Sequence, residues 1–322
     1  MTKPVSGRLL VTGAAGFIGY AVTRLAHNEG FQVTALDSRL GGLYPSAEKE
    51  SRWESLHGLE GIRFLDDDLR TIDWENQDLE FDYVINLAAM PGLRLSWEDY
   101  ELYRSCNLDA VERLARASIK WPVKKFIQIS TSSVYGKNAV GDETQPTRPT
   151  SPYGVTKLAA ENLLFSYSDS FQIPLTVLRY FSVYGPGQRP DMAYRKFIES
   201  ALLGDPLTVY GDGTQSRTNT YVSDVARVTV NSLAAAKEGE IYNICGNEER
   251  SVVEAVQLIK NLTGSTSPLV FEPRVRGDQE RTAGDNSKAR DHLLFESSLS
   301  LEEGLAIQVK ETQTRSHKGQ RL

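Results

Sequence analysis

Gly13, Gly16 and Gly19 stand at three-residue intervals between an apolar run, Leu9-Leu10-Val11-Thr12, and an amphipathic run that opens with Phe17 and Ile18. Such spacing suits a strand, a turn and a helix that together receive a diphosphate. The first glycine permits the tight turn, the second lets the backbone approach the phosphates, and the third lets the helix pack on the strand. The phosphates then meet free N–H groups at the positive end of the helix, where Phe17 and Ile18 lie. Asp37, 18 residues beyond Gly19 and at the end of the next apolar run, is placed to accept hydrogen bonds from an adenosine ribose. A carboxylate there also repels a 2′-phosphate, so NAD is expected over NADP. Arg39 argues the other way, because its guanidinium could accommodate that phosphate. Asp68 and Leu69, after a third apolar run, are candidates for adenine contact, although beside Asp66 and Asp67 they also fit an acidic, solvated turn.

Tyr153 and Lys157 lie four apart at the start of another amphipathic run, hence on one face of a helix. A phenol with a solution pKa of about 10 is no base at neutral pH unaided. The Lys157 ammonium, together with the charge of an oxidised nicotinamide, favours the phenolate. A fall of about 3 units corresponds to roughly 4 kcal/mol of differential stabilisation. A dinucleotide beside such a pair points to redox chemistry at a carbon that bears a hydroxyl.

The elements that must position these residues follow from the hydrophobic pattern. Strands are expected at Arg8 to Thr12, Phe31 to Leu36, Ile62 to Leu65, Tyr83 to Leu87, Lys125 to Ser130 and Leu175 to Arg179, with helices at Phe17 to Asn28, Glu101 to Ile119 and Tyr153 to Phe171. Strands that are apolar on both faces and alternate with helices imply an α/β fold, a Rossmann doubly wound parallel sheet. After Tyr180 the rhythm breaks at Gly185-Pro186-Gly187 and Arg189-Pro190, then resumes with a helix from about Ala193 to Leu203, another from Ser223 to Ala236 and a strand at Ile241 to Ile244. Residues 1–181, with a return at about 218–245, therefore form the dinucleotide-binding domain, and 182–217 with 246–322 a smaller, interleaved C-terminal substrate domain. The polar tail after Glu311 is expected to fray.

Composition narrows the partners. At 40% hydrophobic and 24% charged the chain is of globular type, and no apolar run nears the roughly 20 residues that span a bilayer. The start, MTKPVSGRLLVTG, has no apolar core of an export signal, so a cytoplasmic location is expected. A net charge of -6 with dispersed basic residues argues against nucleic acid. His27, His57, His292 and His317 lack ligand-like spacing and no metal is predicted; Cys106 and Cys245 each fit a small buried hydrophobe.

With Tyr153-Gly154-Val155-Thr156-Lys157 added to the glycine loop, to Asn86-Leu87-Ala88-Ala89 and to Ser130-Thr131-Ser132-Ser133-Val134-Tyr135-Gly136, nearly the whole chain resembles the extended short-chain dehydrogenase/reductases, specifically their sugar-nucleotide epimerases and dehydratases. The resemblance implies that Leu87, Ala88 and Ala89 contact the cofactor, that Tyr153 is the base, and that Lys157 also holds the nicotinamide ribose. Thr131 occupies the family's catalytic Ser/Thr position, with Ser132 and Ser133 near the substrate. These hydroxyls would share the sugar proton and bind the oxygen as charge develops on it. Dehydratases resemble S-T-D-E-V-Y-G here and decarboxylases T-S-E-V-Y-G. Ser132 and Ser133 supply no such carboxylate, which leaves oxidation and return of the hydride, that is, epimerisation.

The run from Arg179 through Gly185-Pro186-Gly187-Gln188-Arg189-Pro190-Asp191-Met192 resembles that of UDP-glucuronate 4-epimerases. Arg189 suits a sugar carboxylate, since a planar guanidinium pairs bidentately, and Ser182 could add a bond where that group commonly has Thr. Arg217 in the segment Val209 to Arg217 is expected on the UDP diphosphate. Arg276-Gly277-Asp278 resembles a further R-x-G-D contact, with Val275 where an arginine is usual and Arg274 or Arg276 as its substitute. The resemblance implies a UDP-sugar substrate, a uronic acid, and a homodimer through the helices near Glu101 to Ile119 and Tyr153 to Phe171. Alternatives are an epimerase of UDP-glucose or UDP-N-acetylglucosamine, a decarboxylase or dehydratase, and a noncatalytic NAD-binding module on the same fold.

Overall fold

A computed structural model describes residues 6–317. The first five residues, which enter the reading of the chain's start, and the end of the polar tail, residues 318–322, lie outside the described residues.

Seven strands, β1 (Arg8–Thr12), β2 (Gln32–Leu36), β3 (Arg63–Leu65), β4 (Tyr83–Asn86), β5 (Lys125–Thr131), β6 (Leu175–Tyr180) and β7 (Glu240–Ile244), form one parallel sheet in the order β7-β6-β5-β4-β1-β2-β3. This is the doubly wound order, with its reversal between β1 and β4. Successive strand residues point to opposite faces, and both faces are apolar. Leu9 and Val11 join the core beneath the Phe17–Asn28 and Val222–Ala235 helices, whereas Leu10 joins the core beneath the Ala110–Ser118 and Pro152–Phe171 helices.

Most expected elements appear within a residue or two. The Pro152–Phe171 helix begins one residue early because the Ser151 hydroxyl caps it, accepting the Gly154 N–H at 3.1 Å, with Pro152 in the first turn. The expected Glu101 to Ile119 helix is interrupted by a π-helical turn at Ser105–Asp109. That turn aims the Asn107 amide at the loop after β4, where it pairs with the Met90 N–H (2.7 Å) and C=O (3.0 Å). Periodicity does not register such a bulge, which satisfies polar backbone in place of adding apolar surface.

The smaller lobe is more deeply interleaved than the sequence suggests. Asn138–Gly141, from within the first 181 residues, pairs with Arg281–Gly284 in a four-stranded sheet completed by Ser216–Thr218 and Glu249–Ser251. In return, Ala289, Leu293 and Phe295 enter the core of the large sheet. The smaller lobe's own core gathers Tyr184, Phe197, Ile198, Ile259 and Leu305.

The expected fraying after Glu311 is corrected as far as His317, because the Leu301–His317 helix continues to that residue. Val309 and Thr312 are buried, and the Arg315 guanidinium pairs with Glu48 at 3.0 Å. No described helix is long and apolar enough to cross a membrane. Within Leu301–His317, a Cβ on Gly304 would lie 2.2 Å from the Tyr184 hydroxyl oxygen. Helix propensity favours Gly304→Ala by about 1 kcal/mol, but overpacking costs about 1–3 kcal/mol. The variant should therefore melt at a lower temperature than wild type by calorimetry; a higher Tm would show that the helix does not dock there.

Candidate functional site

Where the sheet reverses, a cleft opens at the carboxyl ends of the strands. It is lined by every candidate cofactor residue, by Thr131, Ser132 and Ser133, and by Ser182, Arg189, Arg217 and Asp278. Arg276 is not part of its wall.

The dinucleotide half is built by close backbone approach. Gly13 has φ +70° and a Cβ there would lie 2.8 Å from the Ala88 nitrogen, while a Cβ on Gly19 would fall 2.0 Å from the Gly13 carbonyl oxygen. No side chain caps the helix behind Gly16, so its first N–H groups face the cleft mouth unclaimed by a side chain. These residues fit a dinucleotide diphosphate. Asp37 locks the loop to β2, accepting the Ala15 N–H at 2.9 Å and the Arg39 N–H at 2.7 Å. Burial pushes its carboxyl up, opposed first by Lys49. Arg39 itself is turned away, paired with Glu50 at 2.9 Å and with Asp66, and placed over the Trp53 ring. The counter-argument for NADP thereby loses its guanidinium. Asp68 lines the cleft, but Arg70 forks onto it at 2.9 and 2.6 Å and holds its carboxyl below the usual range.

In the catalytic half, Lys157 is 4% exposed and donates to the Ile129 carbonyl at 2.6 Å. Burial lowers it to about 8, against the pull of Glu161. The protein's own groups raise the Tyr153 phenol, because desolvation outweighs the groups that favour its anion, the Thr131 hydroxyl and the Arg189 guanidinium. Protein groups alone therefore do not make this phenol a base, and a positive nicotinamide has to supply the difference.

The three hydroxyls part company. Thr131 bears on Tyr153 and accepts the Ser133 N–H at 3.1 Å, with its own hydroxyl 3.3 Å from Ser133 Oγ. Ser132 instead donates to Gln279 Oε1 at 3.1 Å, and Gln279 Nε2 returns bonds to the Ser132 and Gly136 carbonyls. Ser132 is thus a stitch between the lobes.

Arg189 stands in the cleft wall with Nε and Nη2 each 2.9 Å from a carboxylate oxygen of Asp191, and its guanidinium is 5.8 Å from the Tyr44 ring centroid. Arg217 donates to Asp278 at 2.9 Å and to the Gln279 carbonyl at 2.6 Å, so two candidate substrate residues hold each other. Arg274 pairs with Glu280 at 2.7 Å and Arg276 lies over Trp97, both exposed and outside the cleft wall. Cys245 is buried as expected, but Cys106, in the π turn, is half-buried at the cleft wall.

Sequence reasoning passed over Tyr44, Lys49 and Gln279, all of which line the cleft. Gln279 directly follows Asp278 and was within reach of the Arg276-Gly277-Asp278 motif; Tyr44 and Lys49 come from a stretch without apolar periodicity.

Residues 9–245 match the model of the NAD dependent epimerase/dehydratase family, to which the chain belongs. It is 38% identical over 306 residues, 94% of this chain and 96% of the relative, to an uncharacterized UDP-glucose epimerase, YtcB, of Bacillus subtilis. A UDP-glucuronate 4-epimerase of Thermodesulfobacterium geofontis is 34% identical over 93% of this chain and 94% of its own. Among solved structures, the UDP-glucuronic acid 4-epimerase of Bacillus cereus in complex with UDP-glucuronic acid and NAD superposes with a TM-score of 0.91 at 38% identity, covering 95% of this chain and 99% of that one.

Gly13→Ala adds both a strained φ and a contact with the Ala88 backbone. Purified variant should carry at least about tenfold less bound NAD than wild type, assayed on the denatured protein, a loss of roughly 1.4 kcal/mol in affinity. Equal content would mean that the loop is not the diphosphate seat.

Proposed function

We propose that the chain is an NAD-dependent 4-epimerase that interconverts UDP-glucuronate and UDP-galacturonate through a transient 4-keto sugar. The observation that carries this reading is that one cleft brings the Tyr153 phenol, the Lys157 ammonium, the Thr131 hydroxyl and the Arg189 guanidinium together beside the glycine loop. NAD, when bound, supplies the hydride acceptor and donor and a positive ring beside the phenol. Tyr153 takes the proton of the sugar 4-hydroxyl, with Thr131 sharing it, and Lys157 contributes positive charge to the nicotinamide ribose region. Ser132 and Ser133 offer no carboxylate for elimination of water, so after oxidation the keto sugar turns over and is reduced on its other face.

The carboxylate of the sugar is assigned to Arg189 and Ser182. With Asp191 across Nε and Nη2, the free Nη1 side of the guanidinium is left for the substrate, steadied by the Tyr44 ring. Holding that carboxylate in an orientation that disfavours breakage of its carbon–carbon bond suppresses decarboxylation of the β-keto acid. Arg217, with Asp278 behind it, is taken as the diphosphate contact in preference to Arg276, which lies over Trp97. A homodimer through the Tyr100–Ser118 and Pro152–Phe171 regions accords with exposed Tyr100, Val155 and Phe171, and we place the enzyme in the cytoplasm.

A second reading, a 4-epimerase of neutral UDP-glucose, is favoured by the Asp191 fork, which already satisfies much of Arg189. Incubation with separate UDP-sugars and chromatography of the products decides between them: UDP-glucuronate should yield its 4-epimer, and conversion of UDP-glucose alone would select the second reading. Arg189→Met should raise KM for the uronate and release carbon dioxide; unchanged KM and product ratio with the uronate would remove Arg189 from the site. Tyr153→Phe should lose about 100-fold or more in kcat. Because turnover needs Tyr153 ionised and Lys157 charged, the pH–rate profile should rise from acid pH and fall again as Lys157 loses its proton near 8. A profile flat between pH about 6 and about 10 would contradict these roles.

A further inference from the structure

The Pro152–Phe171 helix carries Tyr153, Lys157 and Glu161 at four-residue spacing, and the last three residues of β5 meet them in turn. Thr131 bears on Tyr153, the Ile129 carbonyl accepts from Lys157, and the Ser130 hydroxyl donates to Glu161. Arg179 of β6 forks onto the Glu161 carboxylate, Nε to Oε1 at 3.1 Å and Nη2 to Oε2 at 2.6 Å. Its remaining arm, Nη1, donates at 2.8 Å to the Tyr135 hydroxyl, which donates in turn to Asn243. Both members of the pair are buried, at 4% and 2% side-chain exposure. Such a pair seldom adds stability over apolar residues of the same volume, because two charges must leave water. The proton chemistry described above gives Glu161 no part.

We propose that Glu161 is a positioning residue for the Tyr153–Lys157 pair: its carboxylate, clamped by Arg179 one turn beyond Lys157, keeps that ammonium charged and seated on the Ile129 carbonyl. The inference rests on the reading of Tyr153 as base and Lys157 as its cationic partner. Burial drives Lys157 down and Glu161 is the group that opposes it. Around this helix face, Arg179 comes from β6 and Tyr135 from the 3-10 turn Ser132–Tyr135 that follows β5, with Glu143 behind it on the Asn243 N–H. Glu112, from the Ala110–Ser118 helix, is bonded to Tyr167, nearly three turns further along. Glu161 thus lies one turn from Lys157 on the same helix face, and Arg179 fixes where its charge lies.

The test uses holoenzyme with carbon-13 at lysine Cε, in which the Lys157 resonance is identified by its loss in Lys157→Met. Glu161→Gln should lower the Lys157 titration midpoint by about one unit or more, and the alkaline limb of the pH–rate profile should follow it. Stranding Arg179 in the interior can prevent folding. Glu161→Gln combined with Arg179→Met removes both charges and should lower the midpoint by less, while Glu161→Asp keeps the charge and should return it towards wild type. A midpoint unmoved in Glu161→Gln, or in the double variant where only that one folds, overturns the proposal, as does a loss of kcat at every pH with the limb in place. The resonance is read without substrate. A protein that converts no UDP-sugar therefore defeats the functional reading, while the titration alone judges Glu161.

Discussion

Between β1 and β4 two parallel strands lie side by side although the crossovers that follow them leave in opposite directions, so no helix covers their carboxyl ends. That uncovered gap is the constraint from which the site follows. The glycine loop after β1 drops into it, with Gly13 against the Ala88 backbone, and Asp37 at the end of β2 fastens the loop from the other side. The hydroxyls at the end of β5 and the start of the Pro152–Phe171 helix close one flank; the segment after β6, with Ser182 and Arg189, closes the other. Sheet register fixes the separation of the groups at the strand ends, and the Pro152–Phe171 helix, docked on β5, sets Tyr153 and Lys157 against them.

Such a gap is sheltered from water, and shelter opposes the chemistry it permits. Burial raises the Tyr153 phenol and lowers the Lys157 ammonium, each away from the protonation state that a base and its cationic partner need. The protein answers with placed charge and placed hydroxyls: Thr131 and Arg189 on the phenol, Glu161 near the ammonium. Asp191 in turn moderates Arg189. In the proposed reaction, the residual imbalance would make the charged cofactor part of the acid–base set as well as the hydride carrier.

Much of this was legible in the sequence, and the gaps have physical causes. Local rules found the glycine loop, the Tyr153–Lys157 face and the strands of the sheet, because each depends on spacing within one element. Long-range partners were not legible. That Arg39 would turn to Asp66 and Glu50, that Arg217 would hold Asp278, and that Ser132 would be taken by Gln279 all depend on residues far apart in sequence being brought together by the fold. The pairing of Asn138–Gly141 with Arg281–Gly284 is of the same kind. The last helix was missed for a related reason: its polar sequence is anchored by Glu48, far away in the chain.

The central claim is that one hydride leaves a sugar carbon and returns to it without exchange. UDP-glucuronate deuterated at carbon 4, incubated with the enzyme in ordinary water, tests it directly by mass spectrometry and proton NMR of the product. The account predicts UDP-galacturonate with deuterium retained at carbon 4 and turnover slowed by the heavier isotope. An epimerised product that has exchanged its deuterium for solvent hydrogen would contradict it.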